Sequence, residues 1–112
     1  MAFGVYVHVP FCRHRCDYCA FATWTDRSDL AERYLAACRR QITEAAAHLP
    51  PVTSVFVGGG TPSLVAPNAL LEVLAAVPLA PGAEVTIECN PDDLDRDRAA
   101  AYAAGGVTRL SI

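Results

Sequence analysis

Three cysteines near the start of the chain lie close enough together to hold one metal centre. Cys12, Cys16 and Cys19 fall within eight residues, in the stretch VYVHVPFCRHRCDYCAF, directly after a predicted β-strand. Thiolates at this C-x3-C-x2-C spacing can surround one corner of a [4Fe–4S] cluster, whose four irons are usually all held by cysteine. Three protein ligands leave one iron open, as a catalytic zinc site keeps a free position. The spacing therefore favours a cluster that binds a small molecule at its open iron.

Two other chemistries fit the same thiols. A structural zinc ion needs a fourth ligand, which His14 inside the cysteine segment could supply. Cys16 and Cys19 alone have the C-x2-C spacing of a redox-active pair. From the residues alone, the iron–sulfur cluster, the zinc site and the redox pair all stay open.

The composition restricts the compartment and the partners. The chain has 112 residues, enough for one ordinary domain, and 53% of them are hydrophobic, which predicts a buried core. Its net charge of -3 gives no electrostatic basis for binding nucleic acid or an anionic membrane. The sequence contains neither an apolar run of the ~20 residues that span a membrane nor a signal-peptide pattern. We therefore expect a cytoplasmic protein whose thiols are reduced.

Strands and helices are predicted to alternate along the chain, which indicates an α/β fold with a parallel sheet and covering helices. Ligands of such folds bind beyond the carboxyl ends of the strands. The cysteine segment, GGGTP and ECNPDD all follow predicted strands at that end. The predicted strands are Gly4–Val9, Thr53–Val57, Glu84–Cys89 and Arg109–Ile112, and the predicted helices start near Asp29, Pro67 and Arg96.

Local signals predict where the helices and turns lie. Asp29 and Glu32 form a predicted capping box at the start of the first helix, whose apolar spacing continues to Leu49. Asp95 is predicted to cap the third helix. LAPGA, Leu79–Ala83, is predicted to be a turn because it combines proline with glycine.

Residues at the strand ends could contact a ligand. In Gly58–Pro62 the backbone could approach a ligand and offer free N–H groups to a carboxylate, although GGGTP is equally typical of a plain turn. Glu88 is predicted on the polar face of its strand, either as an acceptor for a hydroxyl or ammonium group or as a solvated charge. Tyr6 and His8 share the face away from the valines, and for His8 a hydrogen-bonded core position is favoured.

Four motifs, in order along nearly the whole chain, resemble one family. YVHVPFCRHRCDYCAF, GGGTPSL, IECNPDD and GGVTRLSI together are similar to the oxygen-independent coproporphyrinogen III oxidase/HemW family of the radical S-adenosylmethionine (SAM) superfamily. The resemblance implies a (β/α)6 partial TIM barrel. Residues 1–112 would then be an incomplete radical SAM core domain, the N-terminal half of the barrel with three βα units and a fourth strand. A final strand left as an apolar edge also leads us to expect a truncated product.

The same resemblance implies two cofactors and their ligands. It implies that Cys12, Cys16 and Cys19 hold a [4Fe–4S] cluster, whose open iron binds the amino and carboxylate groups of SAM. In such proteins an electron from the cluster cleaves SAM and starts radical chemistry on a substrate. The positions that match SAM contacts of the family are Tyr6, Tyr18, Gly59, Gly60, Thr61 and Glu88.

One position distinguishes two members of this family. The oxidase extends its cysteine run to C-x3-C-x2-C-x-C, whereas Phe21 stands two residues past Cys19 here. The departure favours the haem chaperone HemW, which implies binding of haem or a porphyrin and delivery to respiratory haem proteins. The oxidase is the alternative, and a non-enzymatic zinc-binding module is a second one. The His-Asn-x-x-Tyr-Trp run proposed to contact haem belongs to the C-terminal part of such proteins and does not occur in these 112 residues.

Overall fold

Four parallel strands form one sheet in the part of the chain that the computed structural model describes, residues 2–10, 28–60 and 62–112. The spatial order of the strands is their order in the chain, and every neighbouring pair is parallel. The predicted parallel α/β architecture is therefore confirmed. The strands are β1 (Gly4–Val9), β2 (Val52–Gly59), β3 (Leu79–Glu88) and β4 (Arg109–Ser111); the helices are α1 (Ser28–Ala46), α2 (Pro67–Ala75) and α3 (Arg96–Ala104); short 3₁₀ turns lie at Pro62–Leu64 and Pro91–Asp93.

One face of the sheet carries the hydrophobic core. Val7, Val57 and Ile87 are paired side by side across β1, β2 and β3, and each is buried. Residues that pair across parallel strands point to the same face, so the valines and isoleucine form continuous apolar rows. Burying each such side chain stabilises the fold by roughly 1.5–3 kcal/mol. The helices contribute the other large side chains of this core, Leu35 from α1, Leu70, Val73 and Leu74 from α2, and Tyr102 from α3.

The opposite face of the sheet carries exposed aromatic side chains. Tyr6 is 54% exposed and Phe56 is 42% exposed, and the two are paired across β1 and β2. His8 lies on the same face and is also exposed. The prediction of a buried core histidine is wrong, because alternation along β1 turns His8 away from the helices.

The first helix differs from its predicted limits. The helix α1 begins at Ser28, so Asp29 is its second residue and not the N-cap of the predicted capping box. The helix ends at Ala46, so Leu49 lies beyond it. There the backbone tightens, since the His48 amide bonds the Ala45 carbonyl at 2.9 Å. Pro50 disfavours helical geometry at Leu49, which the apolar spacing alone did not show.

The predicted turn at LAPGA is instead part of β3. Val52 pairs with Leu79 and Ser54 pairs with Glu84, so β3 advances five residues while β2 advances two. The intervening residues form a bulge in the strand. Gly82 has a φ of +75°, which is the left-handed conformation that glycine favours. The turn-like composition of this segment therefore reflects a bulge near the amino end of β3.

The predicted N-cap of α3 is confirmed. The side chain of Asp95 accepts a hydrogen bond of 2.7 Å from the Arg98 amide, as a helix N-cap does. After the helix, Gly106 adopts a φ of +97°, and the Val107 amide bonds back to the Tyr102 carbonyl at 3.0 Å. Among the described helices, none combines the length and apolar character needed to cross a membrane.

Candidate functional site

The carboxyl ends of β1, β2 and β3 meet at one edge of the sheet. Val9 pairs with Gly59, and Val57 pairs with Ile87, which brings the end of β3 beside the end of β2. This edge is where ligands bind in parallel α/β folds. The sequence-predicted residues Tyr6, Gly59, Gly60 and Glu88 all lie at or near it. Other predicted site residues lie outside the described residues, namely Cys12, Cys16, Tyr18, Cys19 and Thr61.

Glu88 and Gly59 are joined across the strand ends. Oε1 of Glu88 accepts a hydrogen bond of 3.2 Å from the Gly59 amide, and the Glu88 side chain is half-buried. Gly59 has a φ of +112°, a conformation that side chains disfavour. A Cβ atom on Gly59 would stand 2.7 Å from the His8 ring, so glycine also permits close packing here. Glycine at this position is therefore required by the backbone.

Three side chains converge above the backbone of Gly58. A Cβ atom on this buried glycine would lie 2.3 Å from Oε1 of Glu88, 2.9 Å from the Phe56 ring and 3.0 Å from the Tyr6 hydroxyl. A carboxylate, an aromatic edge and a phenol thus share one small space. The sequence grouped Gly58 with the following glycines, but only the register of the strands shows that this convergence depends on it.

The Tyr6 hydroxyl is a neutral hydrogen-bonding group at physiological pH. Burial raises the pKa of Tyr6 above its ordinary value, and the nearby negative charge of Glu88 raises it further. A phenol beside a carboxylate can donate to a ligand while the carboxylate accepts from it. The pair can therefore bind a group that carries both donors and acceptors.

An aromatic surface lies next to this polar pair. The rings of Tyr6 and Phe56 are stacked, with centroids 6.0 Å apart and an interplanar angle of 12°. The His8 ring is tilted against Tyr6 at a centroid distance of 6.0 Å. Stacked rings with exposed faces suit a flat ligand group or a cation. Phe56 was not among the predicted site residues, although the alternation of V-F-V places it on the open face.

The glycine amides do not serve as predicted. The Gly60 amide donates to the Val9 carbonyl at 2.7 Å, and the Gly59 amide donates to Glu88. The expectation of free N–H groups for a carboxylate is therefore wrong at these two residues. The physical reason is that the β1–β2 ladder runs as far as Gly59, so Gly60 still bonds the neighbouring strand. Any ligand contact here uses the close approach that glycine permits, not these amides.

Two loops beyond the strand ends are joined by Ser63. Its hydroxyl is fully buried and accepts a hydrogen bond of 2.9 Å from the Asn90 amide. The same hydroxyl donates to Oδ2 of Asp93 at 3.4 Å. Asn90 shapes the turn, because its side chain accepts from the Asp92 amide at 3.0 Å. Sequence analysis missed Ser63, since a serine in a turn gives no sign that it bridges to a loop 27 residues away.

The first helix is tied to the end of β1 just ahead of the cysteine segment. The hydroxyl of Tyr34 donates to the His8 carbonyl at 2.5 Å. Burial raises the pKa of Tyr34 to about 12, with further contributions from the charge of Cys38 and the hydrogen bond to it. Burial also raises the pKa values of Cys38 and Cys89, so both are neutral thiols near pH 7.

A groove among the described residues lies away from the strand ends. It has a volume of about 660 Å³ and is formed between α1 and α2 on the outer side of the molecule. Arg39 and Glu72 form an ion pair of 3.7 Å there, with both side chains largely exposed. Its lining mixes both signs of charge, and it contains none of the predicted site residues that the structure describes. Those described residues lie instead at or near the strand ends.

Four parallel strands that lie side by side in their order along the chain, alternating with helices, have the arrangement of part of a β/α barrel. The chain belongs to the radical SAM superfamily, whose sequence pattern it matches over residues 6–112. This confirms the predicted family.

Curated relatives span two named groups. The haem chaperone HemW of Mycobacterium tuberculosis (strain CDC 1551 / Oshkosh) is 44% identical over 119 residues, covering 98% of this chain and 30% of the relative. Mitochondrial radical S-adenosyl methionine domain-containing protein 1 of Bos taurus is 41% identical, covering 97% and 26%. The oxygen-independent coproporphyrinogen III oxidase of Bradyrhizobium diazoefficiens is 37% identical, also covering 97% and 26%. The chain therefore spans less than a third of the length of these relatives.

A solved structure shares the fold. Coproporphyrinogen III oxidase (HemN) from Escherichia coli, a radical SAM enzyme, matches with a TM-score of 0.83 and 28% sequence identity. The match covers 97% of this chain and 27% of the oxidase. The described strands and helices thus correspond to part of the radical SAM barrel, as the sequence predicted.

Proposed function

We propose that this chain holds a [4Fe–4S] cluster on Cys12, Cys16 and Cys19, binds SAM at the carboxyl edge of the sheet, and belongs to a haem chaperone of the HemW type. The observation that carries the proposal is the convergence of Glu88, Tyr6 and Phe56 on one space at that edge. Membership of the radical SAM superfamily supports both cofactors. When bound, the cluster supplies the electron for the reductive chemistry of SAM.

Chain geometry supports a cluster beside this edge. Cys12 follows Val9 by three residues, and an extended chain advances at most ~3.6 Å per residue. The Cα atoms of Val9 and Cys12 are therefore at most about 11 Å apart. Val9 itself pairs with Gly59, whose amide bonds Glu88. A cluster on Cys12, Cys16 and Cys19 would therefore follow directly after the strand whose end pairs with Gly59.

The residues suit the two cofactors chemically. Thiolates are the usual ligands of iron–sulfur clusters, and three of them leave one iron for SAM. The half-buried Glu88 carboxylate can accept from an ammonium or ribose hydroxyl group, and Tyr6 can donate beside it. Glycine at position 58 lets Glu88, Phe56 and Tyr6 come together, because a Cβ atom there would collide with all three side chains. We assign Tyr18, Gly59, Gly60 and Thr61 as further SAM contacts on the family resemblance.

The haem chaperone is favoured over the oxidase by one residue and by the relatives. Phe21 stands where the oxidase pattern has a fourth cysteine. The relative with 44% identity is named a haem chaperone. We therefore propose binding of haem or a porphyrin and transfer to respiratory haem proteins as the role of the whole protein, in the cytoplasm.

Coproporphyrinogen III oxidase is the second candidate function. The solved oxidase matches 97% of this chain, and a curated relative at 37% identity has the same activity in its name. Two measurements on the intact gene product separate the candidates. The chaperone proposal expects tight haem binding and no decarboxylation of coproporphyrinogen III by the reconstituted protein. Decarboxylation that depends on SAM would establish the oxidase instead.

The cluster is tested by anaerobic reconstitution of the intact gene product with iron and sulfide. We expect about four irons per chain and a broad visible absorption. Cys12→Ser should remove both, whereas Cys38→Ser, a matched control on α1, should keep both. One zinc per chain without colour would contradict the cluster and establish the zinc-binding module.

A further inference from the structure

Two hydrogen bonds cross between the loops after β2 and β3 in opposite directions. Glu88, the last residue of β3, sends its carboxylate to the Gly59 amide at the end of β2. Ser63, four residues past Gly59, sends its hydroxyl to the Asn90 amide, two residues past Glu88. Each loop thus contributes one side-chain oxygen as an acceptor and one backbone amide as a donor. The relative position of the two loops is fixed at two points.

We propose that Ser63 is a positioning residue of the SAM site, which sets the spacing between Glu88 and Gly59 without contacting SAM itself. The inference rests on the proposed function, because the site it positions is the one assigned to SAM. Ser63 lies in the 3₁₀ turn that follows the glycines and is 0% exposed. Its hydroxyl both accepts from Asn90 and donates to Asp93, so its orientation is fixed at both ends.

Burial makes this hydroxyl difficult to replace. Removal of the buried Ser63 hydroxyl leaves the Asn90 amide without that partner. Two other hydrogen bonds of this loop, from the Cys89 amide to the Ser111 carbonyl and from the Asp92 amide to the Asn90 side chain, hold it to β4 and to itself. Neither of these ties connects it to β2.

The opposite edge of the sheet offers a matched control. The hydroxyl of Thr53 accepts from the Phe3 amide at 3.0 Å and donates to the Phe3 carbonyl at 3.2 Å. Like the Ser63 hydroxyl, the Thr53 hydroxyl thus accepts one hydrogen bond from a backbone amide and donates one to an oxygen atom of a neighbouring segment. Thr53 lies at the amino end of β2, away from Gly59 and Glu88. Thr53→Val therefore removes comparable bonds without touching the site.

The test compares SAM binding by reconstituted Ser63→Ala, Ser63→Thr and Thr53→Val variants of the intact gene product at equal iron content. We expect Ser63→Ala to weaken SAM binding about tenfold, as the loss of a buried hydrogen bond of this kind does. Ser63→Thr, which keeps the hydroxyl, and Thr53→Val should retain the affinity of the unaltered protein. Equal losses in Ser63→Ala and Ser63→Thr would assign the effect to packing and overturn the proposal, as would an equal loss in Thr53→Val.

A second measurement needs no variant. Hydrogen–deuterium exchange of the Asn90 amide should be slow in the unaltered protein and slower still with SAM bound. Fast exchange that SAM does not change would overturn the positioning role. If the unaltered protein itself fails to bind SAM, the proposed function fails. If it binds SAM and Ser63→Ala binds equally well, only the role of Ser63 fails.

Discussion

The two faces of the sheet have the same strands but different chemistry. The face toward the helices carries Val7, Val57 and Ile87, all buried in one core. The other face carries Tyr6 and Phe56, large aromatic residues that stay about half exposed. Both sets come from the alternation of single strands, so a shift of one residue would exchange them. The covered face accounts for stability, and the open face with its loops carries the proposed binding site.

The two faces also differ in whether they carry groups that do not stabilise the fold. Exposed aromatic residues, a half-buried carboxylate and a glycine with positive φ are each unfavourable or neutral for folding alone. Here all of them are gathered on the open face or at the carboxyl edge, around Gly58, Gly59 and Glu88. The valine rows provide the rigid support on which this arrangement depends.

The largest expected effect tests the covered face. Ile87→Ala should lower the free energy of unfolding by about 2–5 kcal/mol, because it leaves a cavity in a closely packed core. Phe56→Ala on the open face should lower it by at most about 1.5 kcal/mol, mainly through the lost stacking with Tyr6. Urea unfolding of both variants, followed by circular dichroism, measures the difference. Equal losses would show that the open face is covered in the protein, so that the two faces contribute alike to the free energy of unfolding.

A binding variant on the open face should leave stability nearly unchanged. We expect Glu88→Gln to weaken SAM binding by roughly 10–100-fold, because a hydrogen bond to a charged group contributes about 1.5–3 kcal/mol. Glu84→Gln is the matched control, since Glu84 lies on the same strand and pairs with exposed Arg109 at 3.3 Å. Calorimetric titration with SAM measures both. Similar affinities for the two variants would remove Glu88 from the site.

The Tyr34 hydroxyl of α1 bonds the His8 carbonyl of β1, and the raised pKa of Tyr34 predicts that stability depends on pH in the alkaline range. Its pKa in the folded protein is about 12, above the ordinary value of 10.0. The folded state therefore keeps the phenol proton where the unfolded state loses it, so stability present below pH 10 is lost as the pH rises toward about 12. Tyr34→Phe should remove this part of the alkaline loss. Unfolding curves across that range, compared with the unaltered protein, measure it, and unchanged curves would contradict the assignment.

The smallest effect is expected on the outer helices. The Arg39–Glu72 ion pair joins α1 to α2, but both side chains are largely exposed. Such pairs contribute at most about 0.5–1 kcal/mol. Arg39→Ala should therefore change the free energy of unfolding within that range and leave SAM binding unaffected. A change in SAM affinity would connect the outer groove with the strand ends and call for a revised site.

The alternation of β1 and the capping of α3 could be predicted because local signals decide them. Gly4–Val9 shows its two faces directly, and Asp95 caps the helix that follows it. The bulge in β3 could not be predicted, since proline and glycine signal a turn whether or not the strand continues past it. The end of α1 at Ala46 could not be predicted from apolar spacing that continues to Leu49, because the chain leaves the helix a few residues before it reaches Pro50.

The candidate site could be predicted only in part. The glycines and Glu88 stand out by residue type and by their place after strands. The roles of Phe56 and Ser63 depend on pairing between strands and on contacts across 27 residues of chain, which no local pattern encodes. The glycine amides could not be predicted correctly. The GGGTP motif suggests free N–H donors, but the Gly59 amide bonds the Glu88 side chain and the Gly60 amide bonds the Val9 carbonyl.

The most direct test of the central claim is electron paramagnetic resonance of the reconstituted, reduced intact gene product with and without SAM. A cluster held by Cys12, Cys16 and Cys19 has one iron open to SAM. The account predicts a signal of a reduced [4Fe–4S] cluster that changes when SAM is added. A cluster signal that SAM leaves unchanged, or no cluster signal after full reconstitution, would contradict it.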